Sequence, residues 1–226
     1  MNPKDFFWGV SLRILKRWSR AGLIESVQIN LLKYERPTVV SVGGFGPVDK
    51  YFKNYVENLG GTYITFDIDA EHKPDIVGDV TEISSYLQHR KVKPDVILAL
   101  EVLEHVHKFS HAIEDCRNAL EINGMLIFST PWIIPIHDRP HDYFRFTPEV
   151  LAAHLREFKK FEIRARGDYK DSVVMLLLRG LFSGGLAGKF LMIIGALVSY
   201  LLPLPKVYTD LSKIDSCIGY LSIGHK

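Results

Sequence analysis

Polar and apolar positions follow two alternating periods along the chain. Short apolar runs rich in β-branched residues are typical of buried strands, and apolar residues spaced by three or four positions are typical of amphipathic helices. The first pattern predicts seven strands, at 38–42, 62–66, 75–77, 95–100, 125–130, 160–166 and 217–223.

The helical pattern fills the intervals between these strands. It predicts helices at 48–59, 83–87, 109–120 and from 147 to about 158. Gly60 and Gly61 suit the end of the first helix, and Thr147 before Pro148 suits the start of the last. Strands that alternate with helices, and that are apolar enough to be buried on both faces, predict a mostly parallel α/β sheet. Ligands of such a sheet bind at the carboxyl ends of its strands.

The length and charge of the chain narrow the function classes. A chain of 226 residues suits one α/β domain with small additions. A formal net charge of +2 argues against a nucleic-acid partner, which usually selects a much stronger basic bias. Cys116 and Cys217 lack the spacing of a zinc site, so we expect a reducing, cytoplasmic compartment. The apolar run Phe6–Val10 is too short for a signal peptide and is followed by basic residues.

A glycine-rich turn after the first strand is a candidate nucleotide-binding corner. Gly43, Gly44 and Gly46 let the backbone approach a ligand, and the helix that follows presents free N–H groups. Asp67 closes the next strand, 24 residues after Gly43, where a carboxylate can bind both hydroxyls of a ribose. A tight structural turn and an ordinary surface aspartate are the alternative. The turn does not match G-x-G-x-x-G, which disfavours a nicotinamide cofactor.

A second segment carries a resemblance to a known family. Residues 101–106 read EVLEHV and are followed by a helix, an Asn-Gly turn and a strand that ends at 129–131. This block strongly resembles class I S-adenosylmethionine-dependent methyltransferases, most of all the type 11 branch, and the run HDYFRFT at 141–147 resembles a subset of it. The likeness covers about 37–161 and returns at 219–224. It implies an α/β fold, namely a doubly wound, mostly parallel, seven-stranded Rossmann-like sheet with an antiparallel last strand.

The resemblance also implies a cofactor, S-adenosylmethionine, and residues to bind it. The methionine part of the cofactor would lie beside Gly43, Gly44 and Gly46, and Glu101 would border its methionine end. Asp67 would hold the ribose, and Asp79 with Val80 would meet the adenine. Turns of this family often carry an acidic residue two places before the first glycine, where this chain has Ser41, and the second and third glycines of a G-x-G-x-G pattern fall on Phe45 and Pro47. These departures leave open a relative that keeps the fold without the cofactor.

Histidines at the ends of two strands are candidates for the catalytic base. Removal of a proton from a hydroxyl acceptor needs a base of near-neutral pKa, which His105, His137 or His141 could supply. Helix capping and loop hydrogen bonds are the alternative roles. Tyr143 and Arg145 could orient an acidic or glycan-like substrate. Although histidines and acids near these positions could ligate a metal, we expect none.

Two further segments, 1–36 and about 173–205, lie outside this core pattern. Residues 1–36 are predicted to form an N-terminal amphipathic helical segment. Residues 37–226 are predicted to form the methyltransferase domain, which contains an apolar helical insertion at about 173–205. The uninterrupted apolar run in the insertion, 190–202, is 13 residues long and too short to cross a bilayer. A lid, a dimer interface and an in-plane membrane anchor remain open for the insertion, with a helix that only packs on the domain as the alternative. The basic N-terminus favours the anchor, which would contact the membrane through 1–20 and 181–204.

The sequence therefore predicts methyl transfer from S-adenosylmethionine. The acceptor is expected to be an oxygen of a small-molecule, lipid-linked or glycan substrate. The alternative is a non-catalytic, membrane-peripheral module that retains the methyltransferase fold. We expect a cytoplasmic protein, with association at the membrane surface as an open question.

Overall fold

The computed structural model describes residues 20, 22–179 and 185–226. In that part of the chain the helices are α1 (Leu23–Leu31), α2 (Pro47–Asn58), α3 (Ile83–His89), α4 (Phe109–Ala119), α5 (Pro148–Leu155), α6 (Tyr169–Leu178) and α7 (Gly185–Leu201). The strands are β1 (Thr38–Val42), β2 (Thr62–Asp67), β3 (Ile76–Val77), β4 (Val96–Leu100), β5 (Met125–Pro131), β6 (Lys160–Arg166), β7 (Val207–Tyr208) and β8 (Gly219–His225).

The strands form one mixed sheet in the order β3-β2-β1-β4-β5-β8-β6-β7. From β3 to β5 in this order, each strand is parallel to the next. This confirms the doubly wound, mostly parallel α/β sheet. The prediction of seven strands is wrong, because the described residues form eight. The additional strand, β7, pairs antiparallel with β6 through Ala165 and Tyr208, and its two residues are too few to produce an alternating pattern.

The last strand, β8, is antiparallel to the strands on both sides. Towards β6, the N–H of Ile218 donates to the carbonyl of Arg166, and the N–H of Lys159 donates to the carbonyl of His225, both at 2.9 Å. The numbers therefore rise along one strand as they fall along the other, which is the antiparallel pattern. The predicted antiparallel last strand is confirmed.

Contacts divide the described chain into two compact units. The larger unit contains 27–130, 138–163 and 221–226. Its central strands β1, β4 and β5 are almost fully buried, which is expected of parallel strands covered by helices on both faces. Phe52 and Val56 of α2 are buried within this unit, and the carboxyl ends of its parallel strands share one edge.

The smaller unit contains the described residues of 20–26, together with 131–137, 164–179 and 185–220. In it, α6 and α7 pack closely, because a Cβ on Gly195 would lie only 2.8 Å from the backbone nitrogen of Leu178. α6 begins with a capping box between Asp168 and Asp171. The apolar insertion predicted at 173–205 contains all of α7 and the part of α6 after its first turn, since α6 begins at Tyr169.

Only part of the N-terminal segment predicted to be helical, 1–36, falls within the described residues. α1 lies within the segment predicted to be helical, whereas residues 1–19 and 21, which carry most of its basic and aromatic positions, lie outside the described residues. Among the helices that the structure describes, none combines the length and apolarity that a membrane crossing requires.

Candidate functional site

The glycine turn joins the end of β1 to its two neighbouring strands. Gly43 has a φ of +64°, and its N–H donates to the carbonyl of Phe66 at 2.8 Å. A Cβ at this position would lie 2.7 Å from Cγ2 of Val102. Gly43 is thus in contact with the residue before Asp67 and with the residue after Glu101. The turn brings the predicted ribose acid and the predicted methionine-side acid to one edge of the sheet.

Gly44 explains one of the departures from the family pattern. Its Cβ would lie 2.7 Å from the Ser41 hydroxyl and 2.6 Å from a carboxylate oxygen of Asp49. The Tyr63 hydroxyl donates to the same Asp49 oxygen at 2.6 Å. Burial raises the pKa of Tyr63 well above its usual value, and the hydrogen bond with Asp49 adds to this. Ser41 is therefore part of a packed polar floor beneath the turn, where a larger acidic side chain would compete for space.

Gly46 forms the open side of the turn. It precedes α2 with a φ of +91°, and nothing lies within 4 Å of where its Cβ would stand. No side chain caps this helix, and Pro47 occupies the first turn. The first N–H groups of a helix lack intrahelical partners and carry partial positive charge. This end of α2 is able to interact with an anionic or polar ligand group.

Asp67 lies at the end of β2 with its side chain 7% exposed. One carboxylate oxygen accepts the N–H of Asp69 at 2.9 Å, and the other lies 3.0 Å from Nδ1 of His72. His72 in turn stacks on Phe45, with ring centroids 4.0 Å apart and planes inclined by 20°. The imidazole thus fixes the orientation of the carboxylate and connects it to the glycine turn.

Sequence reasoning missed His72 and treated Phe45 only as a departure. His72 is a single histidine in a polar loop, and no motif marks it. Phe45 lies within the glycine turn, outside any strand or helix pattern, and in the structure it is 60% exposed. The pairing between them depends on the loops after β1 and β2 meeting at the same edge, which only the folded chain shows.

Asp79 and Val80, the predicted adenine contacts, follow β3. One carboxylate oxygen of Asp79 accepts the N–H and the hydroxyl of Thr81, both at 2.9 Å, so this side chain caps a short 3₁₀ turn. Val80 is buried. The N–H of Gly78 donates to the carbonyl of Asp67 at 2.9 Å, which holds this loop beside the predicted ribose acid. Their role towards adenine stays a prediction.

Glu101 directly follows β4 and has a conformation that non-glycine residues rarely adopt. Its φ is +59°, in the left-handed region. Its N–H donates to the carbonyl of Ser129 at 3.0 Å, and its carboxylate accepts the Ser129 hydroxyl at 2.8 Å. Backbone strain of this kind is often found at functional sites and needs support from the surrounding structure. The two contacts with β5 supply that support.

The histidine after β4 is held by the loop that follows β5. Nδ1 of His105 lies 2.9 Å from the carbonyl oxygen of His141. Because a carbonyl only accepts, Nδ1 carries the proton, and the neutral ring therefore has its lone pair on Nε2. Nε2 lies 3.7 Å from a carboxylate oxygen of Glu104, whose side chain is fully buried. His105 therefore has the tautomer of a general base.

The loop itself is fastened to Glu104 and to an aromatic cluster. The N–H of Tyr143 donates to the carbonyl of Glu104 at 2.9 Å, and the Tyr143 hydroxyl shares a hydrogen bond with Nδ1 of His141 at 2.8 Å. The ring of Phe109 in α4 makes edge-to-face contacts with the rings of Phe144 and Phe146. His141 and Tyr143 are exposed, and the packed phenylalanines beside them give the loop a defined course.

Arg145 is engaged within this loop. Its guanidinium binds both carboxylate oxygens of Asp142, at 2.6 and 2.8 Å, and also donates to the carbonyl of Phe144. The hydrogen bond with Asp142 raises the pKa of Arg145, partial burial lowers it, and the charges of Glu104 and Glu101 add to the rise. The structure therefore surrounds Arg145 with carboxylates, and its predicted contact with substrate stays a prediction.

The third candidate base belongs to the other unit. His137 is half-buried at the end of the segment Pro131–His137 of the smaller unit. The larger unit contains His105, His141 and every predicted cofactor residue. Within it the structure joins the glycine turn to the loops after β2 and β4, and His105 to His141. The catalytic roles of the three histidines stay predictions.

Comparisons with solved structures identify the fold. A SAM-dependent methyltransferase from Archaeoglobus fulgidus is 14% identical, with 90% of this chain and 94% of that chain covered and a TM-score of 0.52. The plantazolicin methyltransferase BpumL, solved in complex with SAH, is 15% identical over 100% of this chain and 91% of that one, with a TM-score of 0.52. The small RNA methyltransferase HEN1 is 14% identical over 90% of this chain, which spans 24% of that protein, with a TM-score of 0.54.

The chain therefore has the fold of S-adenosylmethionine-dependent methyltransferases. The sequence matches no protein-family model and no curated protein. The finer assignment to the type 11 branch stays a prediction.

Proposed function

We propose that this protein transfers a methyl group from S-adenosylmethionine to an oxygen atom of a small-molecule, lipid-linked or glycan acceptor. The observation that carries the proposal is the position of Gly43 between the two strand ends that carry Asp67 and Glu101. A side chain at Gly43 would fill the space there. A glycine turn flanked by a buried acid and a second acid suits a ligand that contains a ribose and a charged tail.

The residues present fit this cofactor. Each carboxylate oxygen of Asp67 accepts one hydrogen bond from a nearby residue, and a carboxylate oxygen has two lone pairs, so Asp67 can also accept from ribose hydroxyls. The turn Gly43–Gly46 and Glu101 would hold the methionine part, and Asp79 with Val80 would meet the adenine. Bound S-adenosylmethionine supplies an electrophilic methyl group on a sulfonium. The chain's contribution is to position the acceptor and to take its proton.

His105 is the base that this geometry favours. Its Nδ1–H is held by the His141 carbonyl, and the lone pair of the neutral ring is on Nε2. When Nε2 takes a proton from an acceptor hydroxyl, the buried carboxylate of Glu104, 3.7 Å away, stabilises the imidazolium that forms. A hydroxyl acceptor needs this step more than an amine with a free lone pair does. For that reason we place oxygen ahead of nitrogen.

The net charge and the cysteines bear on the class of acceptor and on its compartment. The fold is shared with HEN1, which is a small RNA methyltransferase, and with the plantazolicin methyltransferase BpumL. A net charge of +2 supports an acceptor other than a polynucleotide. Cys116 and Cys217 are buried free thiols, which supports a reducing compartment such as the cytoplasm.

Isothermal titration calorimetry tests the cofactor. We expect S-adenosylmethionine and S-adenosylhomocysteine to bind and NAD not to bind. Asp67→Ala should weaken binding strongly, whereas Asp210→Ala, which removes an aspartate from a surface turn of the other unit, should not. A folded wild-type protein that binds neither adenosyl compound would replace the proposal with a non-catalytic module of the same fold. Binding of NAD alone would overturn the cofactor assignment.

Transfer of a labelled methyl group tests the base. With any acceptor found by screening, His105→Gln should lower kcat while the Kd of S-adenosylhomocysteine stays unchanged. His111→Gln is the matched control, because His111 is an exposed histidine of α4, the next helix along the chain. Equal turnover of the His105 variant and the wild type would exclude His105 as the base.

A further inference from the structure

One face of α7 exposes an unusual row of large apolar side chains. Leu186, Phe190, Leu197 and Tyr200 are 85%, 64%, 63% and 90% exposed. Their spacing of three, four and seven positions places them on one side of the helix. We call this row the α7 stripe, and its members are Leu186, Phe190, Ile193, Leu197, Tyr200 and Leu201.

The opposite face of α7 is firmly packed. Met192 and Gly195 are buried, and Gly195 lets α7 approach Leu177 and Leu178 of α6 closely. Ala196, Val198 and Leu202 lie against the buried cluster that α6 forms. The stripe is therefore held outward by the packing of the other face.

The segment of chain that carries the stripe has charges of one sign. No aspartate or glutamate occurs between Asp171 and Asp210, whereas Arg179, Lys189 and Lys206 fall within this interval. Lys189 and Lys206 are exposed. An apolar row whose own segment carries only cations complements a surface that is apolar inside and negative outside. A second copy of the chain would instead bring the same cations together with no acid from this interval to meet them.

We propose that the α7 stripe docks the protein onto the surface of an anionic lipid bilayer. The helix lies in the plane of the membrane, with the stripe at the boundary between headgroups and acyl chains and the lysines among the headgroups. From Leu186 to Leu201 the stripe spans about 22 Å at 1.5 Å per residue. Aromatic side chains near both ends, Phe190 and Tyr200, suit that boundary.

This inference does not depend on the proposed methyl transfer. It uses residues of the smaller unit alone, and a protein that binds no cofactor would still show it. If both proposals hold, a lipid-linked acceptor would be presented to the protein at the same membrane surface.

Flotation of the full-length protein with vesicles tests the docking. We expect the wild type to float with vesicles of phosphatidylcholine and phosphatidylserine, and to float less with phosphatidylcholine alone. The double variant F190Q/L197Q should lower the partition coefficient about tenfold or more, because two apolar side chains no longer enter the lipid. K189Q should lower it by about fivefold on anionic vesicles and leave the weak binding to neutral vesicles unchanged.

The matched control is I29Q/I122Q, which replaces two exposed isoleucines of other segments and should float like the wild type. Since the stripe is exposed, its variants should unfold at the wild-type denaturant concentration, which circular dichroism checks. F190W gives a second measurement, because the tryptophan emission should shift to the blue when anionic vesicles are added.

Three results would overturn the inference. The wild type could stay in the soluble fraction with both kinds of vesicle. F190Q/L197Q could float as well as the wild type, which would place the membrane contact elsewhere on the chain. Finally, sedimentation could show a dimer that F190Q/L197Q dissociates while no form binds vesicles, which would assign the stripe to a second copy.

Discussion

The hydrogen bond between His72 and Asp67 makes a specific prediction about ligand affinity. The two side chains are 3.0 Å apart, Asp67 is nearly fully buried and His72 is one-third exposed. Because His72 holds the carboxylate in one orientation, His72→Ala should weaken binding of S-adenosylhomocysteine. His72→Asn should keep most of the affinity, since its amide nitrogen stands the same number of bonds from the backbone as Nδ1. His72→Gln moves that donor one bond farther and should behave like alanine.

The expected magnitude follows from the two contacts that His72 makes. A hydrogen bond to a charged group contributes about 1.5–3 kcal/mol, and the exposure of His72 favours the lower end. Stacking on Phe45 adds about 0.5 kcal/mol, the lower end for an exposed pair. Together these amount to about 2 kcal/mol, which is a roughly 30-fold increase in Kd if the bound state needs the present orientation of Asp67.

Calorimetry at a pH near neutrality, with unfolding in urea measured in parallel, provides the assay. The wild type must bind first, so that a failure of the cofactor proposal is seen separately. If His72→Ala binds as tightly as the wild type, the imidazole does not orient Asp67 for the ligand. If it binds more tightly, His72 competes with the ribose for the carboxylate, and the reasoning is wrong in sign.

Three further predictions concern stability. Gly43→Ala should lower the free energy of unfolding in urea by at least about 1–2 kcal/mol, because its φ is positive and its Cβ would meet Val102. Adding Val102→Ala should relieve the clash but not the backbone strain. Wild-type stability of Gly43→Ala would refute this. Asp168→Ala should cost about 1 kcal/mol by removing the cap of α6. Although partial burial alone would raise the pKa of Asp168, hydrogen bonds led by that from Lys170 lower it. The contribution of Asp168 to stability is therefore present above about pH 4 and is lost as the pH falls through the lowered pKa. If stability fell at acid pH in Asp168→Ala as it does in the wild type, this would be contradicted. Burial raises the pKa of Tyr34 to about 12, so stability should fall as the pH rises from about 10 towards that value, and Tyr34→Phe should show a smaller alkaline loss in the same measurement.

The sheet could be predicted from the sequence because its strands carry the signal themselves. Val96–Leu100 and Met125–Phe128 are continuous apolar runs, and such runs between helical patterns admit few other structures. β7 could not be predicted in this way, since two residues have no period. It exists because Ala165 and Arg166 of β6 offer it backbone partners, which is a property of the fold rather than of the segment.

The candidate site was predictable where backbone conformation selects the residue. Gly43 is glycine because both its φ and its contact with Val102 demand it, and a glycine after a strand is visible in a sequence. The partners of side chains were not predictable. Arg145 suits a substrate carboxylate as well as it suits Asp142, and the choice depends on the course of the loop. The contact of His105 with the His141 carbonyl joins residues 36 positions apart.

The position of β8 in the sheet has a consequence for synthesis on the ribosome. β5 and β6 have no hydrogen bonds to each other in the strand order, because β8 stands between them. β5 ends at residue 131 and β8 begins at 219, so 87 residues are added in between. At about 5–20 residues per second this takes roughly 4 to 18 s. During that time the nascent chain presents β5 as an unpaired edge, where another strand or a chaperone can bind before β8 emerges.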